Sequence, residues 1–241
     1  MAMLNEFALD LPYIPDQARI RRIKVENECD HHEAIKIDIA EHWQSIRVRF
    51  QRQTRCMTAF YERCFEGRNA DCWKIVGQCV PEITDSRIIH SEGICYTQVI
   101  FPIDRFFQSS DYDKKVMALN GLKTAVDLII MEKNWDELPF DIAYHMIVKR
   151  EYKNNWLWKR PVNDPTKELT AEVVCELEPE SLSLFMVIRK TAGEEIKRVL
   201  LMSVLPDDKA YLECLGRLEW DSSDLVTLIN KKGTNKLSVN I

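Results

Sequence analysis

NECDHHEAIKIDIAEH, Asn27 to His42, is the stretch whose reading decides the N-terminal half of the chain. It gathers Cys29, Asp30, His31, His32, Glu33, Glu41 and His42, residue types that ligate zinc and its neighbours. Its middle alternates, with Ile35, Ile37 and Ile39 at every second position, the period of a half-buried strand. On that reading His42 stands at one end of a strand and His31 and His32 at the other, roughly 30 Å away. Cys29, His31 and Glu33 remain on one side of an extended loop and offer at most three ligands. A loop tip of this kind rarely excludes water, so the segment reads as a solvated connection and no metal centre is expected there.

The alternation extends outward on both sides. RIKVE (Arg22–Glu26) and SIRVRFQ (Ser45–Gln51) place Ile23 and Val25, then Ile46, Val48 and Phe50, at every second position. Together with Ala34–Ala40 they predict three antiparallel strands in a meander. Lys24, Lys36, Arg47 and Arg49 then point away from the apolar face. Between Arg19 and Arg63 there are ten basic against seven acidic residues, whereas the chain as a whole carries 33 against 38 and a net charge of −5. Lys36, Arg47 and Arg49 are therefore candidate contacts for an acidic partner.

Further along, Met57, Phe60, Tyr61, Cys64 and Phe65 recur at helical spacing, and a short helix is expected to end near Gly67. Trp73 to Val80 and Gly93 to Phe101 read as strands stopped by Pro81 and Pro102. SSDYDKKVMALNGLKTAVDLIIMEKNW, Ser109 to Trp135, predicts one long helix of about 22 residues. A serine or Asp111 caps it, and Val116, Leu119, Leu122, Val126, Ile129 and Ile130 form its apolar stripe. Gly121 inside it costs about 1 kcal/mol against alanine, which points to a close packing contact. Phe140–Tyr152 fits strand and helix equally. Leu169–Glu178, Leu182–Lys190 and Ile196–Leu205 read as strands, the last two as a hairpin, and short helices are expected from Pro206 and from Ser222 or Ser223. The fold class expected is α+β: antiparallel β-meanders in both halves, one long central helix and short closing helices. The halves are placed at residues 1–135, a β-rich lobe ending in the long helix, and 136–241, an α+β lobe packed with it as one unit.

Composition narrows the function. At 46% hydrophobic and 29% charged, with no low-complexity tract, the chain is that of a folded protein. An acidic balance argues against nucleic acid as a partner. The first residues lack a basic segment followed by an apolar one, and no apolar run of about 18 residues occurs, so no membrane association and a cytoplasmic location are expected. Eight cysteines without a C-x-x-C pair read as buried free thiols.

No phosphate loop, dinucleotide fingerprint, nucleophile elbow or H-E-x-x-H occurs, so no catalytic residue and no cofactor are expected. A Cys–His pair formed across the fold, such as Cys95 with His90 or His145, stays open. NNWLWKRP, Asn154 to Pro161, puts Trp156 and Trp158 on one face if extended, with Lys159 and Arg160 beside them. These four are candidate partner contacts, tryptophan and arginine being enriched at interface hot spots. The leading expectation is a non-enzymatic module that binds another protein and neutralises or scaffolds it. In its acidic, α+β character the chain resembles the cytosolic immunity proteins that bacteria keep against toxins, a general likeness carried by no motif. The alternatives are a hydrolase or transferase using dispersed carboxylates or a Cys–His pair, and a homo-oligomer assembled through an exposed strand.

Overall fold

The three N-terminal segments with alternating isoleucines are helices. In the computed structural model, which describes residues 2–207 and 211–241, Arg22–Glu26 belongs to α1 (Gln17–Glu26), Ala34–Asp38 to α2 (His31–Asp38) and Ser45–Gln51 to α3 (Gln44–Cys64). A π-helical turn, Ile39–Trp43, joins α2 to α3 in one run of 34 residues. Capping decided against the strand period. The Asp16 side chain accepts from the Ala18 and Arg19 amides, and Asp30 accepts from the Glu33 amide at 2.8 Å. Asp30 followed three residues later by Glu33 is a helix-start signature, and the alternation beside it obscured it. In the helices the alternate residues do not share a buried face. Ile20, Ile23 and Ala34 form a small core between α1 and α2, while Val25 is 78% exposed. His42 follows His31 by only about 16 Å along the helical run.

The protein is α+β, and its described residues form two compact units, Met1–Tyr152 and Lys153–Ile241. The division falls after the segment Phe140–Tyr152 and not at 135/136, because that segment is a helix packed on α3. In the first unit β1 (Ala2–Leu4) pairs with β3 (Arg68–Ala70), and β2 (Glu6–Asp10), β4 (Lys74–Val80), β5 (Ile89–Ser91) and β6 (Ile94–Ile100) form a sheet ordered β2-β4-β6-β5. β2, β4 and β6 are parallel, and only β5 runs antiparallel. The expected N-terminal antiparallel meander is thus replaced by a mixed sheet with helical crossovers. β4 shows why: Ile75, Val76, Gly77, Cys79 and Val80 are all buried, interrupted only by half-buried Gln78, the nearly continuous apolar run of a strand covered on both faces.

α4 (Ile103–Gln108) leads into α5 (Asp111–Lys133), which matches the long helix expected from the sequence. Ser110 caps it, accepting from the Asp113 amide at 3.2 Å, and Asn134 ends it in the left-handed conformation, φ 51°. α5 lies on β4 and β6 and against α3. α6 (Leu138–Lys149) packs on α3, where the Tyr61 hydroxyl donates to the Phe140 carbonyl at 2.9 Å.

In the second unit β7 (Asn155–Leu157) and β8 (Val162–Asn163) both pair with β9 (Leu169–Leu177), which continues into the antiparallel β10 (Leu182–Lys190) and β11 (Glu195–Val204). This meander is the one the alternation predicts: Ala171, Val173, Cys175 and Leu177 of β9 are buried. A second meander, β12 (Arg217–Trp220), β13 (Leu225–Ile229) and β14 (Lys236–Asn240), occupies the C-terminus, and the Trp220 indole donates to the Val162 carbonyl at 2.9 Å. It replaces the short helix expected from Ser222 or Ser223. Val226 to Ile229 are buried in the middle strand, and a half-exposed closing helix could not enclose so continuous an apolar run. Part of the helix expected from Pro206 falls on 208–210, outside the described residues; beyond Tyr211 and Leu212 it gives way to a turn and to β12, where Leu218 pairs with Leu228.

Candidate functional site

The basic residues selected as a sheet surface do not share one. Lys36 lies on α2 and pairs with Glu33 at 3.5 Å, both exposed. On a helix Arg47 and Arg49 stand about 200° apart. Arg47 reaches the end of β2, where its Nε and Nη2 each donate to Asp10 at 2.7 Å, and it covers the Trp43 ring at 5.1 Å. The Asp10 carboxylate holds the Arg47 pKa above its ordinary value. Arg49 covers the Phe107 ring at 5.0 Å. The basic face required strands, and it disappears with them.

Trp156 and Trp158 do share a face. β7 is extended, and the two rings are half-buried while Asn155, Leu157 and Lys159 are exposed. Trp156 meets the Tyr211 ring edge-on at 6.3 Å. The Trp158 amide donates to the Val173 carbonyl at 2.9 Å. Lys159 Nζ sits 4.3 Å above the Trp158 ring and donates to the Gly216 carbonyl at 3.1 Å. Arg160 is exposed.

Three further features stand out, two of them unmarked in the sequence and the third marked only in part. The first is the outer side of α6. Phe140, Ala143 and Ile147 face inward and are fully buried, and Trp135 stacks on Phe140 at 6.2 Å. Lys123 of α5 ties the helix down through Asp141 at 3.0 Å. On the outer side Leu138 is 60% exposed, Ile142 49% and Met146 43%. A spacing of four puts them in one stripe. Apolar residues stand on two opposite sides of the segment, Phe140, Ala143 and Ile147 on one and Leu138, Ile142 and Met146 on the other, which made its period illegible from the sequence.

The second is a crevice of about 790 Å³ lined by Ile14, Pro81, Ile100 to Ile103, Asp104 and Arg105. It opens where β4 and β6 end, the carboxyl edge at which parallel sheets commonly receive ligands. Among its lining residues only Asp104 and Arg105 are charged.

The third is a cluster at the opposite edge. One carboxylate oxygen of Asp71 and the sulfurs of Cys72 and Cys95 lie within 4.8 Å of one another, both thiols fully buried and Asp71 exposed. Lys133, at the end of α5, donates to Asp71 Oδ2 at 2.5 Å and holds that carboxyl below its ordinary value. The Cys95 pKa is lowered by the neighbouring Cys72 and by the Lys133 ammonium, while that of Cys72 is raised by Cys95 and by burial. His90 stands directly opposite Cys95 in the β5–β6 ladder. The sequence named Cys95 and His90 as one pair among many. Cys72 and Asp71 join them through the parallel β4–β6 register, which no local spacing encodes. Cys29, His31 and Glu33 instead occupy the start of α2 and the turn before it.

No family model, no curated protein and no solved structure matches this chain. Among the described residues no helix is long and apolar enough to cross a membrane.

Proposed function

We propose that the protein acts by holding another polypeptide, without chemistry of its own, and that the outer side of α6 carries the central part of the contact. The observation supporting this reading is the stripe Leu138, Ile142 and Met146, apolar where a solvated helix is polar. Covering side chains of this size contributes roughly 1.5–3 kcal/mol each before the costs of association. Methionine adapts its shape to a partner, and Asp141, His145 and Lys149 supply a polar rim. Neutralisation of that partner, as an immunity or inhibitor protein does, is the finer form of the proposal and rests on the acidic, α+β character of the chain alone.

The crevice at the ends of β4 and β6 supports a second reading, an apolar small-molecule site of ordinary size. Its lining lacks the two convergent acids that a hydrolase would use, so it also favours binding over turnover. The experiment for the first reading is native purification of the wild-type protein and of Ile142→Asp/Met146→Asp from the source cell. A stoichiometric polypeptide should accompany the wild type and be lost from the folded variant. Retention by the variant, or a bare wild-type monomer, rejects the contact.

A further inference from the structure

We infer that Asp71, Cys72 and Cys95 form a three-donor binding site for a zinc-class divalent cation, with the fourth position open to solvent. The donor set is mixed thiolate and carboxylate, which selects a borderline-soft tetrahedral ion over magnesium or calcium. Two sulfurs on tetrahedral zinc stand about 3.8 Å apart at Zn–S distances near 2.3 Å. The three donors already lie within 4.8 Å, so side-chain rotation of about 1 Å closes the set and no strand has to move.

The backbone holds the two ligand-bearing segments together. Asp71 and Cys72 precede β4, and Trp73 follows them; the Trp73 amide donates to the Gly93 carbonyl at 2.8 Å and its indole to the Glu92 carbonyl at 3.1 Å. Glu92 and Gly93 form the β5–β6 turn, with φ 52° and 77°. A Cβ on Gly93 would stand 2.8 Å from the Trp73 ring, so only glycine lets the indole lie on the turn that carries Cys95 and His90. Such preorganisation is what separates a site from a chance encounter of side chains.

Charge and access agree with the assignment. Without metal, two thiols, the Asp71 carboxylate and the Lys133 ammonium sum to zero. A dication bound to two thiolates, whose protons leave to solvent, keeps the sum at zero. Lys133, bonded to Asp71 Oδ2, acts as the outer partner that orients the ligating carboxylate. The thiols supply the dry side of the site, and exposed Asp71 and His90 supply the entry. The site is independent of the α6 contact.

The test uses the full reduced chain, stripped of metal and titrated with cobalt(II) alone, then with zinc in competition. One equivalent of cobalt should bind, with the intense ligand-to-metal band of thiolate coordination and the visible spectrum of a tetrahedral ion, and zinc should displace it. Cys72→Ser and Cys95→Ser should each lose the band, and Cys29→Ser should keep it. Asp71→Asn, at an exposed position, should weaken binding at least tenfold with the unfolding transition retained. Absence of saturable cobalt binding, an unchanged band in both folded serine variants, or unchanged affinity in Asp71→Asn would each overturn the assignment.

Discussion

Asp38 is a fully buried carboxylate beside the π-helical turn, and two side chains account for its charge. Arg19 donates to it through Nε and Nη2, and the Tyr13 hydroxyl donates at 2.6 Å. The Arg19 bonds hold the Asp38 pKa below its ordinary value, whereas enclosure and the Asp38 bond raise Tyr13 to about 12. The signs set two limits. The contribution of Asp38 is complete above the ordinary carboxylate pKa near 4 and is lost as pH falls through its lowered value. The contribution of Tyr13 is complete below about pH 10 and is lost as pH rises toward 12. Tyr13→Phe should cost about 2 kcal/mol at neutral pH, the worth of a hydrogen bond to a charged acceptor, and should flatten the alkaline loss. Urea midpoints of both proteins across pH check this; parallel curves above pH 10 would refute it. Asp38 lies within Ala34–Ala40, the stretch that the alternation reads as a strand. Its burial follows from the helical period, in which Asp38 falls one turn after buried Ala34.

At the scale of elements, glycines record how closely α5 approaches its surroundings. A Cβ on Gly77 in β4 would lie 2.9 Å from Ala125 of α5 and from Leu9 of β2, while one on Gly121 would lie 3.0 Å from the Phe101 ring. Gly77→Ala therefore forces helix and strand apart and should cost about 2 kcal/mol, as overpacking does. Gly121→Ala gains about 1 kcal/mol of helix propensity against its clash and should cost less. Thermal unfolding of the two variants checks the order, and a stable Gly77→Ala protein would contradict the packing. Gly121 was legible in the sequence because a glycine inside a strong helical pattern has few other uses. Gly77 was not, since the strand that needs it pairs in parallel with segments far away in the chain. The same difference runs through the fold. α5 and the meander β9 to β11 follow from local period and local pairing. α1 to α3 were obscured by an accidental alternation, although the Asp30–Glu33 cap marked them.

The whole molecule consists of two units, each with its own core: Phe7, Phe50, Phe60 and Leu119 among others in the first, Val173, Leu184, Met186 and Val226 in the second. Fragments 1–152 and 153–241 produced separately should each unfold in one cooperative transition. A fragment that shows no transition in calorimetry would deny that unit its independence. Of the functional reading, the Trp156 and Trp158 face was legible from an i, i+2 spacing, but the α6 stripe was not, because an apolar segment states that burial is wanted without stating by what. The claim that this stripe is a polypeptide contact is tested most directly by equilibrium titration of the co-purified partner with the wild-type protein and with Ile142→Asp. A hot spot contributes at least about 2 kcal/mol, so the variant should bind about thirtyfold more weakly with its unfolding midpoint unchanged; equal affinity for the two proteins would contradict the assignment.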